Sequence, residues 1–474
     1  MDSKNTYTGW LEYKGVDFTY VFDGYELRLI PPRDKESEIM RNWIMTPISS
    51  GVYTMGAPLT MDVPYIKGVC YETAGEIVFL TQVGRIICHQ NSVLIIDILG
   101  YIIYKTKISA IDRMSISSAA INCIHPIYEA YTASVDWKNV SKDGVISVTT
   151  NNFEDTTTPP QEFIVDDYNV KVFFTVRRSV SYQVDQPPLS LNSAIIFDFA
   201  PTENYTQIYR LWCIAKVFIQ YLCYRRNISM PVVQLSAPAE NGKHINIATL
   251  YLLNEPEDDE IDVLKKGRYI KYRYISGCEG QMLSDIAADL IYTRHLPETY
   301  QLGNRIDAAR FIMIMAAFEW EYSRAYPQGV PRKQSTIDAE EAVAKEIQKL
   351  IDSSHGKTRS KYKFLKSLIS TDQLQARIAQ AGKDNDTIVG EFGNYLYKLN
   401  DSKLSYQDMA TRLSSQRNHF AHGDMDQRFI PLTIIDLQYL QYLIYAIQLR
   451  IYGVSEENVR SAISDLFHCG RTSN

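Results

Sequence analysis

The sequence predicts an α+β multidomain protein, with a β-rich N-terminal region carrying a covering helix over residues 1–298 and an all-α helical bundle over residues 299–474. Three observations predict it. Short β-branched and aromatic runs, broken by turn residues, fill residues 10 to about 200. The apolar period lengthens to helical spacing at residues 203–226, and from about residue 301 onward helical spacing prevails. The charge changes too: before Thr299 there are 27 Lys and Arg against 35 Asp and Glu, a net of −8, and from Thr299 on there are 22 against 20, a net of +2.

Size and composition bound the rest. At 474 residues the chain has room for roughly three domain-sized units with buried cores. Hydrophobic residues at 45% and charged residues at 22% are ordinary for a soluble globular protein. The N-terminal MDSKNTYTGW lacks a basic flank followed by an apolar run, so no signal peptide is expected. The most apolar stretches, 93–104 and 311–318, fall well short of the roughly 20 residues that cross a bilayer, so no membrane association is expected. Seven cysteines, none in C-x-x-C, read as reduced and mostly buried thiols of a cytoplasmic protein. A net charge of −6 argues against non-specific nucleic-acid binding by the whole surface.

Taken in order, residues 75–84, 93–104, 170–176 and 194–199 are the clearest strands, and their rhythm suggests a sandwich or a barrel-like region. Arg85 and His89 share a strand face and read as structural, and the Cys123/His125 pair reads as coincidence. Residues 155–161, with Thr-Thr-Thr-Pro-Pro, are a loop. Leu211, Ile214, Ala215, Phe218, Tyr221 and Leu222 repeat at helical spacing and would cover a sheet face, and strands are expected again at 230–235 and 245–252.

An acidic run (Glu255, Glu257, Asp258, Asp259, Glu260, Asp262) precedes Lys265, Lys266, Arg268, Lys271 and Arg273, which alternate with Tyr269, Tyr272 and Tyr274. The alternation fits an amphipathic strand with a basic face, or a track for nucleic acid that the acidic loop would screen. In the helical part, Ile306, Ala309, Met313, Ala316, Ala317 and Trp320 suggest a central helix, because 311–318 is apolar nearly all round. Helices are expected over 336–352, 362–381 and from Pro431 to about 451, then 456–467, with 387–399 leading to the motif helix and Cys469 in a mobile tail.

The stretch that reads as machinery is 405–423, SYQDMATRLSSQRNHFAHG. Ser405 and Asp408 resemble a capping box, and Leu404, Met409, Leu413 and Phe420 supply an apolar face, so a helix is expected to end at Gly423. Asn418 and His422, four apart, share a face, and Arg417 reaches round the helix end. An imidazole, an amide and a guanidinium suit phosphodiester chemistry without a metal or a cofactor: His moves a proton near neutral pH and Arg grips a phosphate through two hydrogen bonds. Glu319 is an auxiliary candidate that would steer Arg417 or His422, the plainer alternative being an ion pair between neighbouring helices. Lys357, Arg359, Lys361, Lys363 and Lys366 form the first choice for gripping RNA, or else a solvated basic loop. A His before a helix-terminal Gly also has a structural use, bonding the last carbonyls and complementing the helix dipole.

The run R-N-H-F-A-H-G-D from Arg417 to Asp424 resembles the motif of the HEPN superfamily of helical ribonucleases, and in particular the ApeA-like antiphage proteins, where a β-rich region precedes the nuclease. The resemblance is specific for the last third of the chain. It implies a metal-independent endoribonuclease acting in antiphage defence by abortive infection. It also implies a homodimer or higher even oligomer in which two copies of Arg417, Asn418 and His422 line one cleft. An N-terminal region that senses a phage-derived activator or restrains the nuclease is implied as well. Two alternatives stay open: a non-catalytic protein whose helical domain dimerises or binds a nucleotide, and a toxin neutralised by a separate partner.

Overall fold

The structure is a computed structural model that describes residues 6–55, 59–82, 84, 86–88, 92–105, 107–135, 146–152, 154–240, 242–369, 373–423, 428–429 and 431–469. Arg85, His89 and Asp424 lie outside the described residues. The chain divides into two compact units, Met1–Lys266 with Lys271–Ala288, and Gly267–Ile270 with Asp289–Asn474.

In the first unit, strands β1 (Tyr7–Tyr13), β2 (Val16–Phe22), β3 (Glu26–Ile30), β4 (Tyr65–Cys70), β5 (Gly75–Thr81) and β6 (Leu94–Tyr104) are antiparallel neighbours in the order β6-β3-β2-β1-β4-β5. β5 pairs back on β6, with Phe79 opposite Tyr101, so the six strands close into a barrel. Burial alternates along β1 and β6, as a strand with one inward face requires. Leu11, Phe18, Tyr20, Phe22, Leu27, Phe79 and Ile96 belong to the resulting core. The β1–β2 hairpin turns on Lys14 and Gly15, both at positive φ (51° and 75°), the backbone that matches strand twist in a two-residue loop.

β6 is also the last strand of an open sheet. Strands β7 (Ile111–Ile116), β8 (Gln161–Val165), β9 (Tyr168–Val180), β10 (Leu189–Thr202), β11 (Val232–Pro238) and β12 (His244–Leu252) run in the order β8-β9-β10-β7-β11-β12-β6. Ile102 of β6 therefore faces Val78 of β5 on one side and Leu250 of β12 on the other. Crowding at this junction requires Gly100, because a Cβ there would lie 2.5 Å from the Tyr251 carbonyl oxygen. β9 and β10 extend well beyond the expected 170–176 and 194–199: the C-terminal end of β9 is exposed, leaving no apolar alternation to read.

Helix α1 (Tyr205–Cys223) starts where Asn204 accepts a hydrogen bond from the Gln207 amide, and the apolar stripe expected for it is buried. Its Tyr205 hydroxyl shares a 3.0 Å hydrogen bond with Tyr104 of β6, and Trp212 donates to the Met230 carbonyl. The acidic run has a different task from screening the basic run after it. Arg225, with 0% side-chain exposure, donates to both oxygens of Asp258 at 2.7 and 3.1 Å and lies 3.5 Å from Glu260, while Lys216 pairs with Glu255. A buried guanidinium demands opposite charge, and these carboxylates supply it. Residues 265–274 are not a strand: short helices Ile261–Lys265 and Tyr272–Ile275 flank Gly267 at φ 78°, and Tyr272 and Tyr274 turn inward.

The second unit contains α2 (Ala308–Ala325), α3 (Gln334–Ser353), α4 (Gly356–Ile369), α5 (Leu374–Asp384), α6 (Asp386–Lys398), α7 (Tyr406–Ala421), α8 (Pro431–Ile451) and α9 (Glu456–Phe467). The centre is α8 and not α2. Every residue from 439 to 449 of α8 is buried, and α2, α6, α7 and α9 pack around it. The aliphatic stripe expected on α8 understated its burial because Gln441, Gln448 and three tyrosines (Tyr439, Tyr442, Tyr445) break the period. α2 buries Phe311, Ile314, Met315, Phe318 and Tyr322, whereas Met313 and Ala316 are half-buried and Trp320 is exposed. An all-apolar run offers no period by which to choose a face, so its neighbours choose.

The single helix expected over 362–381 is two, α4 and α5, and the basic stretch is helical from Gly356 instead of a loop. α3 and α4 pack on each other as an antiparallel hairpin. Cys469 is buried, with its sulfur 3.6 Å from the Ile463 carbonyl oxygen, and burial pushes its thiol up to about 12, so the chain is anchored as far as that residue. Among the described residues no helix is long and apolar enough to cross a membrane.

Candidate functional site

The motif helix α7 begins at Ser405, whose hydroxyl accepts from the Asp408 amide at 3.3 Å. Its buried residues Met409, Ala410, Leu413, Gln416 and Phe420 recur at three- and four-residue steps and form one inward face. Three anchors hold it. At the first turn the Tyr406 ring fills a notch left by two glycines: a Cβ at Gly382 would lie 2.4 Å from that ring, and one at Gly390 would collide with Asp386, which accepts the Tyr406 hydroxyl proton.

In the middle, Arg412 donates two 2.7 Å hydrogen bonds to the Asp436 carboxylate of α8, which also accepts from the Tyr397 hydroxyl of α6. Asp436 is fully buried, and desolvation raises its pKa even though Arg412 and Tyr397 pull it down. At the C-terminal end Phe420 packs edge-on against Phe311 of α2 and against Phe429, at centroid distances of 5.4 and 5.3 Å. Phe429 lies just beyond the motif and also meets Phe311 at 5.8 Å, so three aromatic rings hold the chain before and after residues 424–427.

The helix ends as its sequence suggests. The His422 amide donates to the Asn418 carbonyl at 3.1 Å, and Gly423 takes φ 95°, a left-handed backbone that other residues adopt only at a cost. Arg417 lies 3.6 Å from Glu319 of α2, longer than a hydrogen bond, with side chains 40% and 34% exposed. The structure thus brings Glu319 to Arg417, in an inter-helix ion pair. Asn418 and His422 are exposed, and neither side chain has a hydrogen-bond partner among the described residues. Glu321, two residues from Glu319, is fully buried instead, where it accepts from the Tyr292 amide, Gln448 and Arg324. Burial is the largest influence on its carboxyl and raises it.

The five basic candidates occupy α4. Lys357, Arg359, Lys361 and Lys363 are exposed, and Lys366 is half-buried, donating to Gln348 of α3 at 2.7 Å. At helical pitch Arg359, Lys363 and Lys366 share one face and Lys357 and Lys361 the opposite one, so the positive charge wraps the helix and does not form a single stripe. Sequence reasoning passed over Arg412, Asp436, Tyr397 and Phe429. Arg412 and Phe429 carried no spacing signal, and Asp436 resembles a solvated acid inside an apolar helix until its partners are known.

No protein-family model matches the chain, and neither does any curated protein. The solved structure of glucosamine kinase (crystal form A) covers 88% of this chain and 94% of its own at 11% identity, with a TM-score of 0.11, too low to indicate a shared fold.

Proposed function

We propose that the helical unit is a HEPN-type endoribonuclease of the ApeA-like kind, acting as a dimer or higher even oligomer in antiphage defence. The observation that carries this reading is the end of α7. Asn418 and His422 present side chains unengaged among the described residues to solvent, beside an Arg417 tethered by a long ion pair to Glu319. An exposed pair of this kind is worth no more than about 1 kcal/mol, and a bidentate guanidinium–phosphate contact outweighs it. Arg417 is therefore held in place yet free to exchange Glu319 for a phosphodiester.

In the proposed reaction His422 takes the proton of a ribose 2′-OH, and the 2′-oxygen attacks the adjacent phosphorus. The 5′-oxygen leaves, giving a 2′,3′-cyclic phosphate and a 5′-OH end. Arg417 neutralises charge developing on the phosphorane, and Asn418 orients the imidazole or bonds the phosphate. The proton needed by the leaving oxygen comes from the second copy of the motif across a composite cleft. DNA lacks the attacking hydroxyl and is not a substrate. Basic residues of α4 supply non-specific phosphate contacts.

The test is cleavage of total RNA by purified protein, with mapping of the ends. His422→Ala, which removes an exposed side chain, is expected to lower cleavage by about 10²-fold or more without changing the thermal midpoint. Addition of EDTA is expected to leave the rate unchanged. Full activity in folded His422→Ala, or loss of activity with EDTA, would overturn the scheme.

A further inference from the structure

Three sequence features that the nuclease reading leaves unused meet at one place in the N-terminal unit: His125, the Thr-Thr-Thr-Pro loop, and the basic and aromatic run at Lys271–Arg273. They line a cavity of about 400 Å³, within the size range of small-ligand sites. Its inner wall is held by hydrogen bonds and ring contacts. His125 is 4% exposed and lies 2.8 Å from the Thr156 carbonyl oxygen. A carbonyl only accepts, so His125 donates through Nε2–H, and burial keeps the ring neutral.

Tyr272 meets that ring edge-on at 5.7 Å, and its hydroxyl is fixed by the buried Glu279 at 2.9 Å. Thr158 accepts from the Phe174 amide at 2.9 Å, tying the threonine loop to β9. The rim is of mixed character. Tyr128 is 59% exposed, Lys271 and Arg273 bring positive charge, and Glu129 and Asp155 bring acceptors.

We propose that this cavity binds a nucleoside monophosphate whose base carries an amino group. The aromatic wall suits a flat ring, with Tyr128 positioned to cover it, and the two cations suit a phosphate through charge-assisted hydrogen bonds. Two carboxylates on the rim disfavour a bare polyanion, because like charges placed together repel. They favour a ligand that also donates, and a base amine does so. Ring, anion and donor in one ligand of this size describe an amino-bearing nucleotide. The site lies within the N-terminal unit and does not depend on the nuclease assignment.

The experiment is calorimetric titration of the full-length protein with AMP, GMP, CMP and UMP, with adenosine, and with inorganic phosphate. An amino-bearing nucleotide is expected to bind, UMP and phosphate at least tenfold more weakly. Arg273→Gln and Tyr128→Ala, both at exposed positions, are expected to lower nucleotide affinity at least tenfold with an unchanged thermal midpoint, and Arg417→Ala to leave it unaltered. Absence of binding by every nucleotide, or binding lost in Arg417→Ala and kept in both cavity variants, would overturn the proposal.

Discussion

At position 417 exposure decides how the guanidinium behaves. With Arg417 and Glu319 each more than a third exposed and 3.6 Å apart, water screens their attraction, and the pair holds orientation more than it holds the fold. Glu319→Gln is accordingly expected to change RNA cleavage by about fivefold at most. A loss as deep as that of His422→Ala would instead give Glu319 a part in the chemistry. His295 is the opposite case. It is 2% exposed, and burial together with the Arg310 charge lowers its pKa to about 3. The unfolded chain takes up this proton near pH 6.5 and the folded chain only near 3, so the stability contributed by neutral His295 is full above 6.5 and is lost as pH falls through that window. Comparing thermal midpoints of the wild type and His295→Gln between pH 7 and 4 reads it: the gap between them is expected to narrow toward acid, and a constant gap would exclude the buried neutral imidazole.

The motif helix shows how an element combines local signals with remote ones. Its start at Ser405, its apolar face and its stop at Gly423 were legible in the sequence, because capping and helical period act over a few residues. Its attachment was not legible, because Arg412, Asp436 and Tyr397 come from three helices, and nothing in a single segment marks them as partners. Removing Arg412 leaves the Asp436 carboxylate buried with Tyr397 as its remaining hydrogen-bond partner among the described residues. Arg412→Ala is expected to cost about 3 kcal/mol in urea unfolding. A cost under about 1 kcal/mol would mean that α7 is held by its two ends, the Tyr406 notch and the aromatic cluster, with little from its middle. The same limit explains α2, whose all-apolar run hid its inward face, and α4, where a run of cations resembled a loop although nothing in it breaks a helix.

For the whole molecule, the division into a β-rich and a helical part follows from composition and period, which the chain carries locally. A barrel closed by β5 returning to β6 does not follow from them, since antiparallel strands with the same alternation serve a barrel or a sandwich equally well. Assembly belongs to this scale. The nuclease reading requires a second copy, and sedimentation equilibrium is expected to give an even multiple of 54.3 kDa, a monomer at micromolar concentration being incompatible with a shared cleft. By itself the sequence determined that a β-rich part precedes a helical one, where the motif helix begins and ends, and which residue types gather at its close, because each depends on neighbours within a few positions. Only the tertiary structure decided that α8 is the core of its unit, that the acidic run neutralises Arg225 and Lys216, and that His125, a threonine loop and a basic turn share one cavity. Those outcomes join residues tens to more than a hundred positions apart, and only packing brings such residues into contact.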